Sequence, residues 1–169
     1  MAYKQFILVC GGTGCESNKG PQVFEALIRK VRAVGLDTDV QVVKTGCFGL
    51  CEKGPIVKIL PEEAFYVQVQ PEDAEEIVEE HLVKGRPVKR LMVEGTAAGG
   101  AVDEIGFHKK QMRVVLRNCG VIDPDSIDEY IARDGYEALG RVVTAMQPED
   151  VIEELKTANL RGRGGAGFP

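Results

Sequence analysis

Tyr3-Lys-Gln-Phe-Ile-Leu-Val-Cys10-Gly-Gly-Thr-Gly-Cys15 runs an apolar segment into a glycine-rich loop with a cysteine at each end. A second stretch, Thr38-Asp-Val-Gln-Val-Val-Lys-Thr-Gly-Cys47-Phe-Gly-Leu-Cys51, repeats the arrangement with tighter spacing. C-x4-C and C-x3-C pairs of this kind form a four-sulfur site once a fold brings them together. Thiolates are soft ligands, so such a site selects zinc or an iron–sulfur cluster over hard cations such as magnesium.

Working outward, the residues on either side read as an alternation of strands and helices. Lys4–Val9 is a buried strand. A helix begins at Gly20-Pro21, with Phe24, Leu27, Ile28 and Val31 at helical spacing and Arg29, Lys30 and Arg32 on the wet side; Gly35 ends it. Thr38–Val43 is a second strand. Beyond Gly54-Pro55, Ile56–Leu60 and Ala64–Val69 flank the turn Pro61-Glu62-Glu63 as a hairpin. A second helix opens at Pro71, with Glu72 and Asp73 suiting its positive end, and closes at Lys84-Gly85; Ala74, Ile77, Val78 and Leu82 face the core. The order is β-α-β-β-β-α over residues 1–91.

Residues 92–105 change character. Val93–Ile105 is small, glycine-rich and aperiodic, which reads as a linker. Residues 106–169 then give a strand over Met112–Leu116, a turn at Asn118-Cys119-Gly120, and three short helices. These carry Ile127, Tyr130 and Ile131; Leu139, Val142 and Val143; and Val151, Ile152 and Leu155. One strand and three helices offer little core, so this part is expected to be the opening of a larger domain that stops at Pro169.

Composition bounds the function. Of 169 residues 44% are hydrophobic, enough for a real core, and the net charge of −5 argues against nucleic acid as a partner. No apolar run approaches the ~20 residues needed to span a bilayer, and the N-terminus has too short an apolar segment for a signal peptide. The expectation is a cytoplasmic protein without membrane insertion. There, paired cysteines are ligands or redox groups more often than structural disulfides.

Three readings of the cysteines stay open on spacing. A [2Fe–2S] cluster takes four thiolates from two loops, and Gly11, Gly12, Gly14, Gly46 and Gly49 let backbone N–H groups turn toward sulfur. Structural zinc uses similar pairs, though more often as C-x2-C knuckles in small hairpins, whereas a helix and a strand separate the pairs in this chain. Thioredoxin-type thiol chemistry lacks its C-x-x-C. Spacing favours the cluster, with a zinc-stabilised non-catalytic interaction module as the alternative.

With Cys10-GGTG-Cys15 and Cys47-FGL-Cys51 set in a β-α-β-β-β-α unit, residues 3–91 resemble the thioredoxin-like [2Fe–2S] ferredoxins. A second resemblance covers residues 106–169. The run RVVLRNCGVIDPDSIDEYIARDGYEAL, then PEDVIEELKTANL and LRGRGGAGFP, is similar to the start of the NADH-oxidising flavoprotein subunit of complex I and its relatives in NAD(P)-linked hydrogenases and formate dehydrogenases. The combined resemblance implies an α/β chain: a thioredoxin-like [2Fe–2S] domain followed by the start of an α/β flavin/NAD-binding domain. It implies that Cys10, Cys15, Cys47 and Cys51 hold the cluster. It also implies that Gly162, Arg163, Gly164, Gly165, Ala166, Gly167 and Phe168 form the loop that approaches FMN and NAD(H). In such subunits hydride passes from NADH to flavin and electrons leave singly through iron–sulfur clusters. A [4Fe–4S] site is expected only downstream of this chain, and the partners implied are other iron–sulfur and flavin subunits. The chain is thus expected to be part of an oxidoreductase without catalytic competence alone, and no catalytic residue is assigned within it.

On its own pattern the glycine loop is weak. It satisfies G-x-G-x-x-G, yet it follows a helix where a dinucleotide-binding fingerprint follows a strand. Glycines with Arg161 and Arg163 suit a backbone cradle for phosphate, against a free chain end. The rest reads as structural: Cys119 as a small buried residue, His81 on the core edge of the second helix, and His108 within a solvated charge run.

Overall fold

Ile7, Leu8 and Val9 are all buried at the centre of the first strand, so both faces of the sheet are covered there. The computed structural model describes residues 3–93, 111–162 and 167–168. The chain divides into two compact units, Met1–Ser126 and Ile127–Pro169.

In the first unit, β1 (Gln5–Cys10) is followed by α1 (Thr13–Ser17) and α2 (Gly20–Ala33). Then come β2 (Val40–Thr45), β3 (Val57–Leu60) and β4 (Ala64–Tyr66). The last helix starts as α3 (Asp73–Glu76) and continues in wider π-helical turns over Ile77–Val83. The sheet order is β2-β1-β3-β4. β2 runs parallel to β1, which requires the helical crossover between them; β3 and β4 are antiparallel additions. The mixed sheet and element order agree with the expectation from sequence. The helix within the first cysteine loop was not foreseen: α1 carries Cys15.

Strand periodicity sorts the core into two faces. Ile7 and Val9 pack with Val23, Leu27 and Val31 of α2 and with Ala74, Ile77 and Val78 of the last helix. Leu8 and Cys10 point the other way and pack with Val43, Phe48, Ile56 and Phe65. The α2 stripe runs through Val23, Leu27 and Val31, so Phe24 and Ile28 stand at its margin and only partly buried. In the last helix His81 is buried beside the expected apolar positions, while Leu82 lies at the edge of the core. Gly85 closes that helix at φ +66, with the Arg86 N–H reaching back to the Glu80 carbonyl at 2.8 Å.

Three expectations need correction or placing. Met112–Leu116 is not a strand: residues 111–113 lack regular structure, the following residues turn, and Met112, Val114, Val115 and Leu116 are exposed. β-branched content says that side chains suit a pleated surface, not that a neighbouring strand is there to pair with. Ala64–Val69 pairs only as far as Tyr66. Most of the expected linker (94–105), His108, and Arg163, Gly164, Gly165 and Ala166 lie outside the described residues.

The second unit holds α4 (Ile127–Ile131), α5 (Glu137–Ala145) and α6 (Pro148–Thr157). α6 starts where Pro148 fits its first turn and the Asp150 carboxylate accepts the Gln147 N–H at 3.0 Å. None of the described residues of this unit is buried, and Leu139, Val143, Ile152 and Leu155 are open to solvent.

Candidate metal centre

β1 and β2 end side by side, with Cys10 opposite Thr45 in a parallel register. The two cysteine loops therefore leave the sheet together. Cys10 is the last residue of β1, Cys15 sits within α1, Cys47 follows β2 after Gly46, and Cys51 begins a single 3-10 turn. None of the four is in a disulfide. Burial falls across the set: Cys10 and Cys15 are buried, Cys47 is half-buried and Cys51 is exposed.

The four thiols form one interacting chain. The hydrogen bond with Cys15 pulls the Cys10 thiol down to about 6, against desolvation, and backbone hydrogen bonds from Phe48 and Gly12 and the thiol of Cys47 act in the same direction. Cys15 is pushed up, first by that same hydrogen bond with Cys10 and then by burial, with a backbone hydrogen bond from Ile56 opposing. Burial also pushes Cys47 up, partly offset by the Gly49 N–H, which donates to its sulfur at 3.3 Å; Cys51 interacts with it from the far end. In short, Cys10 gives up its proton more readily than Cys47, and Cys15 keeps its own. Four sulfurs this close resist full ionisation on their own, and cationic metal would remove that resistance.

Glycines make the close approach possible. A Cβ on Gly12 would lie 2.8 Å from the Cys47 sulfur, one on Gly54 2.7 Å from the Cys15 sulfur, and one on Gly14 3.2 Å from the Cys51 Cβ. Gly12 and Gly14 were expected to face sulfur; Gly54, read from sequence only as punctuation, joins them. Gly11 instead donates its N–H to the Thr45 carbonyl at 2.8 Å, binding the ends of β1 and β2. Among the described residues no three metal-ligating side chains converge as a single ion would need. Two thiol pairs with backbone N–H groups aimed at sulfur suit soft-metal chemistry, in which such hydrogen bonds tune the sulfurs.

Residues 2–82 match the model of the thioredoxin-like [2Fe–2S] ferredoxin family. A [2Fe–2S] ferredoxin of Clostridium pasteurianum is 40% identical over 79 residues, which cover 47% of this chain and 78% of that protein. The chain belongs to this family. The solved structure of the thioredoxin-like [2Fe–2S] ferredoxin from Aquifex aeolicus superposes with a TM-score of 0.51 at 34% identity, covering 58% of this chain and 98% of that one. Larger relatives match too. The NADP-reducing hydrogenase subunit HndC of Solidesulfovibrio fructosivorans is 61% identical over 61 residues, 36% of this chain. A subunit of the NADH-quinone oxidoreductase of Rhizobium meliloti is 46% identical over 56 residues, 33% of this chain. The matched segments span only 12% and 13% of those two proteins.

The other site candidates are placed as follows. Gly162 donates its N–H to the Phe168 carbonyl at 2.6 Å, which closes the ends of the glycine loop on each other. Gly167 has φ +55, a conformation that glycine adopts without strain. Cys119 is half-buried in a turn against Gly46. His81 is buried and bonded to Tyr66. No described helix is long and apolar enough to cross a membrane. Sequence reasoning missed Thr45, Phe48 and Ile122 as neighbours of the centre; they carry no metal-ligand chemistry, and only the tertiary fold brings them there.

Proposed function

We propose that Cys10, Cys15, Cys47 and Cys51 hold a [2Fe–2S] cluster that relays single electrons within an NADH-oxidising flavin and iron–sulfur protein. The observation that carries this reading is the four-thiol chain on two abutting loops, with backbone N–H groups directed at sulfur. A bound [2Fe–2S] cluster supplies a one-electron couple and no bond-making at the protein. The residues of the chain do the rest. Cys10 and Cys15 anchor the buried side, Phe48, Gly12, Ile56 and Gly49 offset negative charge on sulfur, and Cys51 marks the solvent side, where an electron partner approaches.

Membership of the ferredoxin family and the likeness to hydrogenase and quinone-oxidoreductase subunits support the wider assignment. On it, residues 1–91 are the cluster domain, 92–105 the connection, and 106–169 the opening of a flavin/NAD-binding sequence. Residues 162–168 are then the loop that approaches FMN and NAD(H) in the full-length protein. A [4Fe–4S] centre and other redox subunits complete the assembly, in the cytoplasm. The zinc alternative is disfavoured because the matching family model and the Clostridium pasteurianum relative are [2Fe–2S] ferredoxins.

Anaerobic purification followed by iron, zinc and sulfide analysis tests the cluster. About two iron and two sulfide per chain, with an EPR signal only after dithionite, are expected. Stoichiometric zinc without sulfide, persisting after reconstitution with iron and sulfide, overturns the assignment.

A further inference from the structure

Beyond the metal-ligand loops, one stretch of the chain returns to the centre from far away in sequence. Residues 116–122 close on themselves: the Cys119 N–H donates to Leu116, and the Val121 and Ile122 N–H groups to Asn118, at 3.0–3.3 Å. Arg113 adds a weaker bond to the Cys119 carbonyl. The compact turn so formed lies on the second cysteine loop at three points. The Thr45 hydroxyl, itself buried, donates to the Ile122 carbonyl at 2.7 Å. Gly46 faces Cys119 so closely that a Cβ would lie 3.2 Å from its sulfur. Gly120, at φ +76, sits on the Phe48 ring, where a Cβ would come within 2.5 Å of a ring carbon.

These contacts are not scattered. Thr45, Gly46 and Phe48 bracket Cys47, and the Phe48 backbone also hydrogen-bonds the Cys10 sulfur. Gly120 is fixed twice over, by a left-handed backbone and by the ring beneath it, so this turn has one fitting residue at its centre. Among the described residues beyond Leu91, only Gly120 and Ile122 are buried. A passing surface loop would need neither the buried hydroxyl–carbonyl bond nor the glycine.

We propose that residues 117–122 are a strap, docked on residues 45–48, that shields the cluster site and holds the Cys47 loop in place. The proposal rests on the cluster assignment above. It makes the exposure of the centre depend on sequence outside the ferredoxin-matched region of residues 2–82. The strap works through the loop it covers, so its residues are positioning residues. Water reaching the centre favours the more negative, reduced state, so loss of the strap moves the midpoint potential in the positive direction.

Cys119 reports on docking, because it is the single cysteine outside the four proposed ligands. The iron-loaded chain is treated anaerobically with a maleimide and the adducts counted by mass spectrometry. In parallel, iron release to a chelator is timed and the midpoint potential measured by EPR titration. Wild type is expected to take one adduct slowly, at Cys119. Gly120→Val strains the backbone and strikes Phe48, and should speed that labelling about tenfold or more. It should also accelerate iron release and raise the potential. Thr45→Val, which removes the bond to Ile122, should move all three in the same direction. Wild-type rates and potential in both variants overturn the strap. Faster labelling with unchanged iron release and potential overturns the shielding role. Five rapid adducts on the wild-type chain, without iron, mark failure of the cluster assignment itself, and the strap proposal falls with it.

Discussion

Tyr66 and His81 form a buried pair at 2.7 Å on the helix-covered face of the sheet. The Val88 N–H donates to the Tyr66 oxygen at 3.1 Å, so the phenol bridges the Val88 backbone and Nδ1 of His81. Burial lowers the His81 pKa and so favours the neutral ring, against a weaker pull from Glu62. Burial also pushes the Tyr66 phenol up to about 12. As pH falls, the unfolded chain therefore takes up a proton at this histidine before the folded one does. The contribution to stability is whole above the unfolded value of ~6.5. It is lost as pH falls from there through the lowered folded value. Urea melts from pH 7.5 down to 5 should show stability falling, with a shallower fall in His81→Phe; equal slopes would remove His81 from the cause. Tyr66→Phe strands both the Val88 N–H and Nδ1 and should cost about 1–3 kcal/mol at neutral pH. At the centre, Gly12→Ala places a methyl 2.8 Å from the Cys47 sulfur. Overpacking of this kind costs about 1–3 kcal/mol, and the variant should purify with less iron and sulfide per chain. Wild-type metal content would show that the loops have room to spare.

At the scale of elements, α2 and β1 carry the packing of the first unit. Leu27 is fully buried at the middle of the α2 stripe, and Leu27→Ala should destabilise by about 2–5 kcal/mol in a chemical melt. A loss under ~1 kcal/mol would mean that the helix can collapse into the space. These elements were legible from sequence because their signals are local: an unbroken apolar run before Cys10, helical spacing from Pro21, and glycines at the ends. The cysteine pairs were legible for the same reason, each lying within a few residues. What was hidden is non-local or marginal. α1 is a five-residue helix inside a glycine-rich loop, where propensity argues against it. Met112–Leu116 has strand-like side chains without a strand edge to join. The bond from Thr45 to Ile122 spans 77 residues, and nothing in either local sequence announces it.

On the scale of the whole chain, the two units differ in what holds them. Among the described residues, the first has two apolar clusters and a four-stranded sheet, and the second, taken by itself, has three helices with their apolar residues in solvent. Hydrogen exchange should thus find the amides of β1 among the slowest and those of α5 and α6 among the fastest, since opening free energy follows burial. Comparable protection in both would contradict this division. On the proposed cluster assignment, metal would add a further clamp to the first unit, because bringing four thiols together without a cation is unfavourable. Stripping the iron should lower the thermal midpoint of the sheet-containing unit and leave the helical signal of α4–α6 unchanged. Coincident melts before and after stripping would show that the sheet stands without the clamp.

The alternation along β1 couples this chemistry to the fold more tightly than any one contact does. Ile7 and Val9 serve one face, and Leu8 and Cys10 the other, with Cys10 closing the strand. Were this strand to slip by a single residue against β2 and β3, each side chain would exchange faces. Cys10 would turn away from Cys15 and Cys47, and the apolar residues would leave their partners in the same movement. A misregistered chain would have no site to offer and would stay unloaded. On the proposed cluster assignment, only chains whose central strand is paired in its native alignment would present all four cysteines to iron.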